Sequence, residues 1–145
     1  MRIKRIMLAT DFSTQARHAL DYAVELSARL HAPLLMVSAF QIPMYPLPEG
    51  AFVAGGPAIA EILDRVSSDL AAEKKLAIEK GAQGVESLVV EGAPANEIVR
   101  VAKEHHVDLI VIGSHGRGGL SRAILGSVAD RVMRTAHCPV MVVAH

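Results

Sequence analysis

The sequence is short of several things at once. Aromatic residues make up 3% of it and tryptophan is absent. Its core must therefore be assembled from Ala, Val, Leu, Ile and Met, the usual material of layered α/β packing. Net charge is missing too, because fifteen basic residues balance fifteen acidic ones. Without a broad electrostatic field the chain lacks the footprint expected for nucleic acid or an anionic membrane surface, so any anion site has to be local. A single cysteine, Cys138, excludes an intramolecular disulfide and fits a reducing compartment. No apolar run approaches the ~20 residues of a membrane span. The apolar stretch near the N-terminus, Ile6 to Ala9, is too short for a signal-peptide core and is followed at once by Asp11. A soluble cytoplasmic protein is the expectation.

What is present is regular. The 145 residues suit one domain spanning 1–145. Five short apolar runs, at 3–9, 33–40, 86–92, 108–113 and 139–144, have strand length without clean alternation. Strands covered on both faces read this way, as in a parallel sheet. Helical patterns lie between them. Ala16, Ala19, Leu20, Ala23, Val24, Ser27 and Leu30 follow the 3.6-residue period behind a candidate N-cap, Ser13. Ile59, Ile62, Leu63, Val66 and Leu70 mark a second helix ending near Gly81. Pro94 suits the first position of a third, with Ile98 and Ala102 facing inward, and Val128, Val132 and Ala136 mark a fourth. The alternation predicts an α/β fold with a doubly wound, five-stranded parallel sheet and helices on both faces. With strand order 3-2-1-4-5, ligands bind where the order reverses, between the first and fourth strands. The segment 41–57 holds four prolines and three glycines and is expected to be a variable loop, too broken for an element. A tolerated insertion is the favoured reading of it, ahead of a lid or contact surface.

The densest signal is "GSHGRGGLSRAILGS" at 113–127, where five of the chain's eleven glycines fall. A plain strand-to-helix turn needs only two or three residues. Glycine permits the positive-φ backbone of an amide nest and lets main chain approach an anion closely. Ser127 begins "SVAD", which reads as a capping box with Asp130, and a helix start adds N–H groups and partial positive charge. Arg117 and Arg122 bring full charge. A local phosphate cradle is the expectation. The P-loop pattern is absent, and the glycines neither follow the first strand nor have the spacing of the dinucleotide fingerprint.

With these residues the chain resembles the universal stress protein family, in its nucleotide-binding branch. That branch carries Gly-x2-Gly-x9-Gly-[Ser/Thr], filled here by Gly113, Gly116, Gly126 and Ser127. "MLATDFS", "VEGAPANEIVRVAKEHHVDLIVIGSHG" and "CPVMVV" also look like the family, so the likeness covers nearly the whole chain outside 41–57. It implies a Rossmann-like fold and an adenine nucleotide ligand, ATP above all, with or without Mg2+. It places Asp11 at the ribose with Ala9 beside it, and Val37 at adenine through its backbone. Gly113, His115, Gly116 and Arg117 would enclose ribose and phosphates, and Gly126, Ser127 and Val128 would hold phosphates at the helix start. Thr10, Ser114, Gly118 and Gly119 complete the expected set. It also implies a homodimer through the last strand, from Pro139 to Ala144, whose exposed edge gives the physical reason to pair.

Other residues carry less. Asp11 can cap the first helix as well as meet ribose hydroxyls or help place magnesium. His105 and His106 are adjacent at a helix end and point apart, so no metal role is expected of them. Cys138 is expected to be a small buried side chain. Three functions stay in play at this stage: a nucleotide-binding stress or regulatory protein, a slow ATPase, and a dimeric interaction module with a vestigial site. The first leads. Phosphoryl transfer needs a positioned nucleophile and metal-holding carboxylates, and Asp11 is the one acid evident near the glycines.

Overall fold

The computed structural model describes residues 1–42, 44–48, 50–53, 55–116 and 124–144. Its elements in chain order are β1 (Ile6–Ala9), α1 (Thr14–Leu30), β2 (Pro33–Phe40), β3 (Met44–Leu47), β4 (Gly50–Val53), α2 (Gly56–Glu79), β5 (Gln83–Glu91), α3 (Pro94–Glu104), β6 (Leu109–Gly113), α4 (Ser127–Thr135) and β7 (Val140–Val143). The main sheet is parallel with order β5-β2-β1-β6-β7. Counting its five strands alone, this is the expected 3-2-1-4-5.

Each central strand sends alternate residues into two separate cores. Ile6 and Leu8 of β1, Leu34 and Met36 of β2, and Leu109 and Val111 of β6 pack under α1 and α2, which contribute Leu20, Val24, Leu70 and Ala77. Met7, Ala9, Leu35, Val37, Ile110 and Ile112 pack under α3 and α4, meeting Ile98, Val101, Ala102, Ala129 and Val132. The buried residues of both layers are aliphatic or methionine, with Phe12 packed at the edge of the first, as the scarcity of aromatics requires.

Local chemistry sets most boundaries as expected. Ser13 caps α1, its Oγ accepting from the Ala16 N–H at 3.2 Å. Pro94 opens α3. Some boundaries move. Residues 3–5 are not strand, because the Lys4 and Arg5 N–H groups donate to the Asp108 carboxylate at 2.8 and 3.0 Å instead of to a neighbouring strand. β5 begins at Gln83, earlier than expected, where Gly84 (φ 47°) accompanies a register shift against β2. The 41–57 segment also departs from expectation: β3 and β4 form an antiparallel ribbon, with Tyr45 opposite Phe52 and Pro46 opposite Ala51. A two-stranded ribbon leaves one side of each strand without ladder bonds, so the prolines that argued against an element are tolerated there.

The α4 start is a further correction. Gly126, not Ser127, is the N-cap, and among the described residues no side chain caps the helix. The capping box does not form, because the Asp130 carboxylate takes the Arg134 Nε at 3.0 Å instead.

Candidate functional site

β1 and β6 are hydrogen-bonded neighbours whose following connections leave in opposite directions, to α1 beneath one face and α4 beneath the other. A crevice must open between the two connections. A cavity of ≈ 310 Å³ lies there, near the lower end of the roughly 300–1,000 Å³ typical of ligand pockets. Its floor is apolar, with Ala9, Val37 and Ile112 from strand ends and Ile98 and Ala129 from helices. Its polar side holds Thr10, Asp11, Ser114, His115 and Ser127, with Gly113, Gly116 and Gly126 between them.

Thus Ala9, Thr10, Asp11, Val37, Gly113, Ser114, His115, Gly116, Gly126, Ser127 and Val128 come together as expected from sequence. Arg117, Gly118, Gly119 and Arg122 lie outside the described residues. Ala16, Ala39, Pro94, Ile98, Ile112 and Ala129 also line the cavity, although none of them was expected at the site. They are ordinary apolar positions whose place at the crevice follows only from the topology.

The glycines act differently from expectation. Among the described residues, Gly113, Gly116 and Gly126 do not have positive φ. They are required for their size. A Cβ on Gly113 would stand 2.9 Å from the Gln15 carbonyl carbon and 3.1 Å from the Ala16 nitrogen, against the start of α1. One on Gly126 would meet the Ser114 carbonyl oxygen at 2.9 Å. One on Gly116 would meet the Asp11 Oδ2 at 2.8 Å. The first glycine therefore lets β6 end against α1, and the second makes room for the acid. The third brings the loop back to its base, where the Gly126 N–H donates to the Ser114 carbonyl at 2.7 Å.

Asp11 is held at the crevice by its own bend. Its Oδ1 accepts the Ser13 N–H at 3.0 Å, and the Phe12 N–H donates to Thr10 Oγ1 at 3.1 Å. Phe12 sits at φ 65°, a left-handed conformation that costs an ordinary residue roughly 1–3 kcal/mol. The hydrogen bonds on either side of it hold it there. Opposite, α4 presents an uncapped start whose first N–H groups have no intrahelical partner. Ser114 Oγ lies 2.9 Å from His115 Nδ1, while the buried His115 Nε2 has no partner among the described residues.

Behind Thr10 stands a residue that the sequence reading did not use. Thr10 Oγ1 donates to Glu73 Oε2 at 3.0 Å, from β1 across to α2. Glu73 is 9% exposed and its Oε1 is buried without a partner among the described residues. Burial pushes its carboxyl above the usual range, with Asp11 and Asp69 adding to the rise, while the Thr10 hydrogen bond and Arg17 act against it. A carboxyl raised by folding stabilises the fold in acid, and that stability is lost as pH rises from the unfolded-state value through the raised one. The sequence signal was an acid on a buried stripe, since Leu70, Glu73 and Ala77 are the residues α2 buries. Cys138 is half-buried against the second core, and burial followed by Asp108 raises its thiol, which disfavours a reactive thiolate.

The universal stress protein family model matches residues 2–144. The chain belongs to that family. As a universal stress protein it is 40% identical over 146 residues to universal stress protein MJ0531 of Methanocaldococcus jannaschii, across 97% of this chain and 81% of that one. Its fold matches that of the universal stress protein UspA from Lactobacillus plantarum with a TM-score of 0.83 at 26% identity, covering 99% of each chain. A universal stress protein solved in complex with cAMP is similar at a TM-score of 0.74 and 26% identity, over 99% of this chain and 98% of that one.

Proposed function

We propose that this universal stress protein binds an adenine nucleotide, ATP included, in the β1/β6 crevice and acts as a ligand-responsive stress or regulatory protein. The observation that carries this reading is the convergence of a carboxylate and an uncapped helix start across one apolar-floored cavity. Asp11 accepts the ribose hydroxyls, the floor receives the base, and the amides at Ser127 and Val128 receive phosphate. The unpartnered His115 Nε2 offers a further polar contact. The structural relative in complex with cAMP supports the adenine assignment.

Efficient hydrolysis is not part of this reading. Asp11 is the one acidic residue in the described cavity lining, and phosphoryl transfer usually needs carboxylates that hold a metal. Among the described residues no group of three His, Cys, Asp or Glu could hold a metal ion. Magnesium would arrive with the nucleotide phosphates.

The deciding experiment is calorimetric titration with ATP, ADP, AMP and cAMP, with GTP as control. Saturable binding of adenine nucleotides and a rise in Tm are expected, about 2.7 kcal/mol of stabilisation at a hundredfold excess over Kd. No binding at millimolar nucleotide would overturn the reading.

We also propose a homodimer through the last strand. β7 lies at the sheet edge, with Val140, Met141 and Val142 half-exposed, and Met133 of α4 is 48% exposed. An open apolar edge is stabilised by pairing. Light scattering should report twice the 15.4 kDa chain mass, and Met141→Lys should shift it toward one. A monomer at micromolar concentration would refute the pairing.

A further inference from the structure

We propose that Glu73 is a positioning residue of this site: through Thr10 it sets the bend that carries Asp11 into the cavity, and its protonation makes nucleotide affinity depend on pH. The first half stands on the geometry alone. The second half rests on the adenine-nucleotide reading above.

The connection is continuous. Glu73 Oε2 accepts from the Thr10 hydroxyl, and the same hydroxyl accepts the Phe12 N–H. With the donor and acceptor sides both used, the Thr10 hydroxyl is fixed in direction. Phe12 is thereby held at φ 65°, between Asp11 and the α1 cap. Thr10 is itself 6% exposed, so water does not readily replace Glu73 as its acceptor.

The neutral carboxyl suits this place. It keeps one oxygen for Thr10 and adds no charge to a pocket with an unpartnered Oε1. The charged groups acting on it are Arg17 from α1, Asp11 from the bend and Asp69 from its own helix. Two of those three are negative. Ionisation creates a buried charge held by a single hydrogen bond. A carboxylate accepts more strongly than a neutral carboxyl, so the bond from Thr10 shortens, draws Thr10 toward α2 and shifts the bend that the hydroxyl holds through the Phe12 N–H. Ionisation also sets a second negative charge behind Asp11, against an incoming phosphate. Linkage gives the converse: an anion bound in the crevice favours the protonated Glu73, so binding takes up a proton.

The test has two arms. On the unliganded protein, the amide resonances of Phe12 and Ser13 are followed by NMR from pH 5 to pH 9. They should follow one titration in the wild type that is absent in Glu73→Gln, which keeps the acceptor oxygen and cannot ionise. Identical titrations in both proteins, or none in the wild type, would overturn the positioning role whatever the ligand. The second arm measures Kd for cAMP by calorimetry over the same range. This probe is chosen because its phosphodiester lacks the ionisation near pH 6 of a phosphate monoester. The wild type should weaken by roughly tenfold with rising pH, the scale of one added charge at a partly buried site. Glu73→Gln should hold the acid-limit affinity throughout, and Thr10→Val should bind weakly at every pH. A Glu73→Gln profile that parallels the wild type would overturn the coupling. Absence of binding by any adenine nucleotide would instead refute the ligand reading and the affinity half with it, while the amide arm still decides the role of Glu73.

Discussion

Replacing Gly113 with valine is expected to lower Tm by about 10 °C and to abolish nucleotide binding. The reason is backbone contact. A Cβ there stands 2.9 Å from the Gln15 carbonyl carbon and 3.0 Å from its oxygen, and neither belongs to a side chain that can turn aside. To fit the new atoms, the end of β6 must separate from the start of α1. Overpacking of this kind costs about 1–3 kcal/mol, and a branched side chain on a buried central strand belongs at the upper end. For a chain of this length each kcal/mol moves Tm by about 3–4 °C. The same separation widens the crevice, because α1 follows directly on the bend that bears Asp11. Calorimetric melts and a nucleotide titration on one preparation check both effects. A variant with unchanged Tm would show that the contact is not tight.

Asp11→Asn and Gly116→Ala should separate the two effects, with normal stability and weakened binding. Asparagine keeps an oxygen for the Ser13 N–H, so the turn before α1 survives. What it loses is the charge proposed to meet the ribose hydroxyls. Hydrogen bonds to a charged group contribute about 1.5–3 kcal/mol, which corresponds to roughly a 10–150-fold rise in Kd. Gly116→Ala reaches the same end by a different route. Its Cβ would meet only the tip of the Asp11 side chain, at 2.8 Å. That tip can rotate, so Tm should stay within about 2 °C while affinity falls by roughly tenfold or more as the carboxylate leaves its position. Melting curves and titrations of the two variants decide the matter. If Gly116→Ala binds normally, Asp11 does not contact the ligand from its present rotamer.

Much of this architecture was legible in the residues because a doubly covered sheet writes itself as solid apolar runs. β2 spans 33–40 as expected, and the strand order follows from alternation of elements with right-handed crossovers. The spacing of Gly113, Gly116 and Gly126 located the cavity but misled about its physics. Spacing marks where side chains are forbidden without saying whether dihedral angle or room is the cause, and here the cause is room. "SVAD" looked like a cap because capping is a local pattern, yet Asp130 has a competitor one turn on in Arg134. The β3–β4 ribbon was hidden by its prolines, which forbid a central strand but not an isolated pair. Glu73 was least legible of all. A single acid on a helix face reads as solvated until the fold shows Thr10 above it and burial around it.

The bond that joins Gly126 to the Ser114 carbonyl has an engineering consequence. It closes the base of the intervening segment independently of what that segment contains. The entropy of closing a chain grows only slowly with its length, by about 0.6 kcal/mol per doubling. The sheet should therefore accept grafts of different length between these two anchors, which makes this connection a natural place to install new ligand selectivity on an unchanged scaffold.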